Sequence, residues 1–234
     1  MGKIKRPIIQ TTNFNTVRNV CYDSLTHQHL NIIYSPPGYG KTLGLTTIKM
    51  EYPENVVYIK ALASDNPRVF YSSIINELVD EKYNWKLSLS ITIKRAASLF
   101  NSKDKNMILL IDEVTKFNHN FFLHLHDFRE LTMDSTGIVL SGGKDLKERF
   151  EKWCLHSAPG ISEFVSRFNI YQQLFPPSKD EIVTILHANN IFDKDFEKKC
   201  IKEVTDFRQL ETYMDNYDIL KEKLTNEKLK IITS

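Results

Sequence analysis

The segment Ser35-Pro36-Pro37-Gly38-Tyr39-Gly40-Lys41-Thr42 constrains this chain more than any other. An apolar run, Asn31-Ile32-Ile33-Tyr34, precedes it, and a helix-like stretch, Leu43 to Met50, follows. A strand, a Gly-rich turn and a helix in that order form a phosphate-binding loop. Gly38 and Gly40 lack Cβ atoms, so the backbone can turn tightly and aim N–H groups at an anion. Lys41 is placed to reach β- and γ-phosphates, and the Thr42 hydroxyl to hold Mg²⁺. The helix N-terminus adds partial positive charge at the same spot. The full pattern, G-x-x-x-x-G-K-[ST], asks for Gly at position 35, where this chain has the small, polar Ser35.

A second motif, Met107-Ile108-Leu109-Leu110-Ile111-Asp112-Glu113, is an apolar run closed by two carboxylates. It reads as a buried parallel strand with acids at its C-terminal end, the end at which open α/β sheets bind ligands. Asp112 is expected to hold the Mg²⁺ of an ATP complex together with Thr42. Glu113 is expected to polarise the attacking water as general base.

Composition sets wider bounds. At 234 residues, 41% hydrophobic and 26% charged, the chain can bury a sizeable core. A net charge of +2 leaves any nucleic-acid face to a local patch. Cys21, Cys154 and Cys200 have no metal-ligand spacing and read as reduced thiols of a cytoplasmic protein. No apolar run approaches the roughly 20 residues of a membrane span. The basic start, Met1 to Arg6, lacks the apolar region of a signal peptide, and Arg6 breaks the myristoylation pattern.

Strand and helix signals alternate along the chain. Val56-Val57-Tyr58-Ile59 reads as a second strand. Asn66-Pro67 reads as an N-cap with Pro at the first helical position, ahead of a stripe of Val69, Phe70, Ile74, Leu78 and Val79. Residues 83–92 read as a loop or short connector, with a helix from about 92 to 102. Phe117, Phe121, Leu125, Phe128 and Leu131 recur at near-helical spacing, as a helix packed on a sheet does. Gly137 to Ser141 and Phe168 to Leu174 read as further strands. The expected fold is α/β, a parallel sheet flanked by helices over residues 1–177. After Pro176-Pro177, Ser178 and Glu181 form a capping box, and only helical patterns follow. Residues 178–234 are therefore a small helical domain appended to the sheet, or helices covering one edge of a single domain. His119, His124 and His126 lack cysteines nearby, and 124 and 126 face different sides of a helix, so they read as structural rather than zinc-binding.

Taken together, these motifs resemble the AAA+ ATPases, a P-loop NTPase family with a C-terminal helical lid. The resemblance covers most of the chain. It implies that Ser141, after the fourth strand's apolar run, is a first sensor contacting γ-phosphate or lytic water. It implies an arginine finger just before the fifth strand, where Ser166-Arg167-Phe168 stands. It implies a second sensor at the start of a late helix, which nominates Arg208 in Thr205-Asp206-Phe207-Arg208-Gln209-Leu210. Within the family, the short length and the opening Gln10 to Arg18 look most like the phage Mu B transposition protein and related target-selector ATPases of the IstB and TniB kind.

That subfamily resemblance implies an ATP- and Mg²⁺-dependent protein that oligomerises on duplex DNA as a ring or helical filament and selects a target for a transposase. Its DNA-facing segment lies between the second and third strands. Here that segment offers Lys86, Thr92, Lys94 and Arg95, with Lys3, Lys5 and Arg6 as a further basic stretch. The other readings are a helicase loader of the IstB/DnaC kind and a signalling NTPase that binds no nucleic acid. No membrane partner is expected.

Overall fold

The structure is a computed structural model and describes residues 6–79, 87–156 and 160–232, with side chains through residue 223. Two compact units make up the chain: residues 13–36 with 41–174, and the N-terminal residues through Thr12 with 37–40 and 175–234.

The larger unit is an α/β sheet structure. Helix α1 (Thr12–His27) leads into β1 (Leu30–Tyr34), and the loop after β1 opens α2 (Lys41–Glu51). Next come β2 (Val56–Lys60), α3 (Pro67–Leu78), α4 (Leu89–Asn101) and β3 (Met107–Asp112). A single 3₁₀ turn over Val114–Lys116 precedes α5 (His119–Thr132) and β4 (Thr136–Gly142). The unit closes with α6 (Leu146–Leu155), α7 (Ile161–Val165) and β5 (Phe168–Gln173). All strand pairings are parallel, in the order β2-β3-β4-β1-β5. β3 and β4 are buried along their whole length, which is why they read as unbroken apolar runs. A core of Ile32, Phe70, Phe100, Leu109, Phe122, Phe128 and Leu140 joins the sheet to its helices. At Gly137 a Cβ would overlap the Ser24 carbonyl oxygen, so only glycine lets β4 pass the end of α1 this closely.

Local signals account for most boundaries. The Asn66 side chain accepts from Val69 N at 3.0 Å and Pro67 takes the first helical position, as its sequence suggests. The start of α4 differs from expectation. Ser88 caps it and residues 89–92 are already helical, because Ile93, Ala96, Ala97 and Phe100 bury its face in the core. Helices α6 and α7 have no counterpart in the sequence reading.

The smaller unit holds α8 (Lys179–Ala188), α9 (Lys194–Glu203) and α10 (Phe207–Ile232) around Ile182, Leu186, Ile191, Cys200, Leu210 and Met214. Both halves of the Ser178–Glu181 capping box form. Glu181 Oε1 also accepts from Thr12 N at 2.6 Å, which ties the N-terminal segment to α8. Arg6 reaches Asp215 at 2.7 Å and Asp218 at 2.9 Å and is largely covered. The turn at residues 37–40 belongs to this unit: Phe207 N donates to Gly38 O at 3.0 Å at the start of α10.

Candidate nucleotide site

Asp112 is the hub of the site. It is buried at the C-terminal end of β3, where the strand's apolar side chains hold it out of bulk water. Its Oδ2 accepts from the Thr42 hydroxyl at 2.6 Å and from the Tyr58 phenol at 3.2 Å. Its Oδ1 accepts from the Ser141 hydroxyl at 2.8 Å and from Glu113 N at 3.0 Å. Three side-chain donors from α2, β2 and β4, with the N–H of the next residue, therefore converge on one carboxylate, which satisfies a group that would be costly to bury alone. The parallel register explains the convergence, since β2 sets Lys60 beside Asp112 and β4 sets Leu140 beside Ile111. Tyr58 is a partner that sequence reasoning missed. Nothing in Val-Val-Tyr-Ile separates it from a strand aromatic until the β2–β3 pairing is known. Burial, and then the Asp112 charge, push the Tyr58 phenol well above its ordinary pKa, so it stays a donor.

The loop between β1 and α2 takes its form from two left-handed glycines, Gly38 at φ 85° and Gly40 at φ 89°. A Cβ at Gly38 would also strike the Asp206 carboxylate within the smaller unit. Position 35 needs no such freedom. Ser35 is fully buried, donates to Pro36 O at 3.0 Å and accepts from Lys41 Nζ at 2.8 Å. Lys41 Nζ also donates to Ser35 O at 2.9 Å and to Pro36 O at 3.0 Å. The departure from the full motif thus adds a side-chain acceptor that helps hold the lysine.

Glu113 sits in the left-handed region at φ 64° and ψ 31°, directly after Asp112. A non-glycine residue there costs about 1–3 kcal/mol and persists because its surroundings hold it. Its N–H is fixed by Asp112, and the 3₁₀ turn that follows is clamped from α6. Arg149 donates from Nη1 to Thr115 O and from Nη2 to Phe117 O at 2.8 Å. Lys116 Nζ bonds Ala61 O at 3.1 Å. Arg149 and Lys116 are positioning residues with no motif to announce them.

The other expected residues are dispersed. Arg167 precedes β5, whose Phe168 pairs with Leu30 at the start of β1, whereas Ser35 follows that strand's end. One strand of five residues, roughly 16 Å, therefore separates Arg167 from its own loop, beyond the reach of its side chain. It pairs with Glu130 at 3.0 Å, and both partners are exposed. Arg208 lies exposed in the first turn of α10, one residue after the Phe207 N–H that binds Gly38. Lys94 and Arg95 are exposed on α4. Thr92 corrects the expectation of a surface donor: it is fully buried and its hydroxyl donates to Ser88 O at 2.9 Å. Arg6 is likewise engaged by Asp215 and Asp218 rather than offered to a phosphate. Lys3, Lys5 and Lys86 lie outside the described residues.

The donor set fits a magnesium–triphosphate complex. The glycine turn gives backbone N–H groups room to face an anion, Lys41 adds a cation, and Thr42 and Asp112 put two hard oxygen ligands within hydrogen-bond distance of each other. The profile of a family described as an AAA domain matches residues 24–150, more than half of the chain. This chain belongs to the AAA family of ATPase domains. No curated protein matches it in sequence. Among solved structures, this AAA chain is similar to the ORC1 protein of Aeropyrum pernix in complex with DNA, at TM-score 0.63 and 14% identity over 88% of this chain and 59% of that one. It is similar to the ORC2 protein of Aeropyrum pernix in ADPNP–ADP complexes, at TM-score 0.60 and 14% identity over 82% and 55%. A third similar structure is Cdc6p of Pyrobaculum aerophilum, at TM-score 0.59 and 17% identity over 80% and 50%. The chain thus spans between half and three-fifths of the length of each. These likenesses bear on the fold, a parallel α/β P-loop architecture of the Orc/Cdc6 type.

Proposed function

We propose that this AAA domain is a cytoplasmic, Mg²⁺-dependent ATPase that assembles on duplex DNA in the ATP state and marks a target for a transposase or related recombination enzyme. The observation that carries the ATPase reading is the convergence of Thr42, Ser141 and Glu113 on Asp112. One carboxylate joins the phosphate-loop hydroxyl, the β4 hydroxyl and the residue bearing the candidate base. A Mg²⁺ ion held there would supply charge neutralisation to the phosphates. Lys41 exchanges its loop carbonyl partners for phosphate oxygens. Thr42 and Asp112 would hold the metal, and Ser141 keeps Asp112 oriented. Glu113, fixed in its left-handed conformation, takes the proton of the attacking water. Arg167, out of reach of its own loop, serves a neighbouring subunit, and Arg208 reads the nucleotide from the lid helix. The weak exposed pair with Glu130 is worth about 0.2–1 kcal/mol and is readily exchanged for phosphate.

Lys94 and Arg95 are the described candidates for backbone contact with DNA, joined by Lys86. Contacts of this kind bind phosphate without reading bases. A second reading, a helicase loader of the IstB/DnaC kind, shares this fold, and the similar ORC1 structure is a complex with DNA. Electron microscopy of the protein with duplex or single-stranded DNA, with ATP or ADP, separates these readings. Ordered assemblies on duplex with ATP support target selection, and a preference for single strands supports the loader. No DNA binding under any condition leaves a nucleotide-driven protein switch.

A further inference from the structure

We infer that Asp23, His27 and His29 form a binding site for one divalent transition-metal ion of the zinc class, separate from the Mg²⁺ position at Asp112. Their ligand atoms all lie within 4.8 Å of one another, and they are the one such group among the described residues. His27 Nδ1 is 3.2 Å from Asp23 Oδ1, and His29 Nδ1 is 2.9 Å from Asp23 Oδ2. Around a tetrahedral zinc ion with bonds of 2.0–2.2 Å, neighbouring ligand atoms sit about 3.4 Å apart. Both imidazole–carboxylate separations come within about half an ångström of that spacing, and the two imidazoles lie within 4.8 Å of each other. Two imidazoles and one carboxylate suit zinc over magnesium, and the exposed side of His27 leaves a fourth position to water.

The local fold builds this cluster. Asp23 and His27 stand one turn apart on α1 and so share a face. His29 belongs to the chain beyond the helix and returns to that face because Gln28 adopts φ 55°, which reverses the backbone. The Gln28 amide holds that reversal by donating to Leu25 O at 3.2 Å and Thr26 O at 3.3 Å. Arg129 Nη2 donates to Gln28 O at 2.7 Å from α5, which locks the turn from the other side. The two rings stack at 5.3 Å between centroids. Behind the ligands, the fully buried Asn31 donates to Asp23 Oδ2 at 2.8 Å and to Ser24 Oγ at 2.9 Å. A ligating carboxylate oriented by a buried donor is the usual outer shell of a metal site. The cluster closes α1 where β1 begins, the end of that strand opposite the phosphate loop. Without metal, the same atoms form hydrogen bonds between the two imidazoles and the carboxylate.

The test uses the full chain, titrated with Zn²⁺ by calorimetry and with Co²⁺ by visible absorption, both in excess Mg²⁺. The expected result is one ion per chain at micromolar affinity or tighter, with the intense bands of tetrahedral Co²⁺. His27→Ala, His29→Ala and Asp23→Asn should each weaken binding by about tenfold or more. Asp23→Asn keeps the side chain's size and is read if a histidine variant fails to fold, with thermal melting as the check. His119→Ala and Lys41→Ala should leave the titration unchanged. Wild-type affinity weaker than about 100 µM would overturn the site, as would unaltered binding in Asp23→Asn or in the folded histidine variants.

Discussion

Asp112 and the residues around it separate into distinct roles, and single substitutions tell those roles apart. Lys41→Ala takes the cation out of the loop and should abolish ATP binding, measured by a fluorescent-nucleotide titration. Near-wild-type affinity in that variant would refute the loop assignment. Glu113→Gln should bind ATP normally and hydrolyse it slowly in single-turnover assays, since Gln keeps the shape and loses the base. Tyr58→Phe is the more discriminating variant. It removes one donor from a buried carboxylate, a loss of about 1 kcal/mol. Nucleotide affinity measured without Mg²⁺ should hold, while the Mg²⁺ concentration needed for half-maximal hydrolysis shifts several-fold. An unchanged Mg²⁺ dependence would mean that Tyr58 only packs.

At the scale of elements, close approaches and caps position these residues. β4 carries Ser141 to Asp112, and it can do so because Gly137 lets the strand slide beneath the end of α1. Gly137→Ala should destabilise the domain by about 1–3 kcal/mol or more, as overpacking does. Urea unfolding of the variant is the measurement, and stability equal to wild type would show that α1 yields at no cost. Helix α4 teaches a related point. Ser-Leu-Ser-Ile-Thr alternates like an extended connector, yet Ser88 caps a helix and Thr92 turns inward beside Ile93. Packing against α3 and α5 outweighs weak local propensity there, which removes one candidate DNA contact and leaves Lys94 and Arg95 facing outward.

For the whole molecule, the sheet's length keeps Arg167 out of reach of its own loop, as the proposed role in trans requires. Arg167→Ala should spare ATP binding and cut hydrolysis steeply, by about 10³-fold or more for a finger acting in trans. Mixing it with Lys41→Ala protein should restore part of the activity, because the mixed interface pairs an intact loop with an intact arginine. Failure of every mixture to recover would count against the trans role. DNA binding belongs at this scale too. If an oligomer tracks the phosphate backbone, affinity should fall with salt at a slope of roughly −0.9 per neutralised phosphate. Substituting Lys86, Lys94 and Arg95 together should flatten the slope on all sequences alike. An unaltered slope would move the DNA surface elsewhere.

The residues from Ser35 to Thr42 and from Met107 to Glu113 determine the phosphate loop and its acidic partner by themselves. An apolar run before two acids is by itself an ordinary strand end; beside a glycine-rich turn that leads into Lys41 and Thr42 it reads as the acidic partner of a phosphate loop. The Ser178–Glu181 capping box and Asn66-Pro67 are legible because each is completed within four residues. Tertiary structure alone decided what depends on distant neighbours. Tyr58 becomes a donor to Asp112 only through the β2–β3 register, Arg149 a clamp only once α6 lies against the turn after Glu113, and Thr92 a core residue only once α4 is packed. The grouping of Asp23, His27 and His29 stands between these cases. Its spacing is visible in the sequence, but its convergence rests on the left-handed turn at Gln28 and on Arg129, which reaches that turn from a helix 101 residues further along.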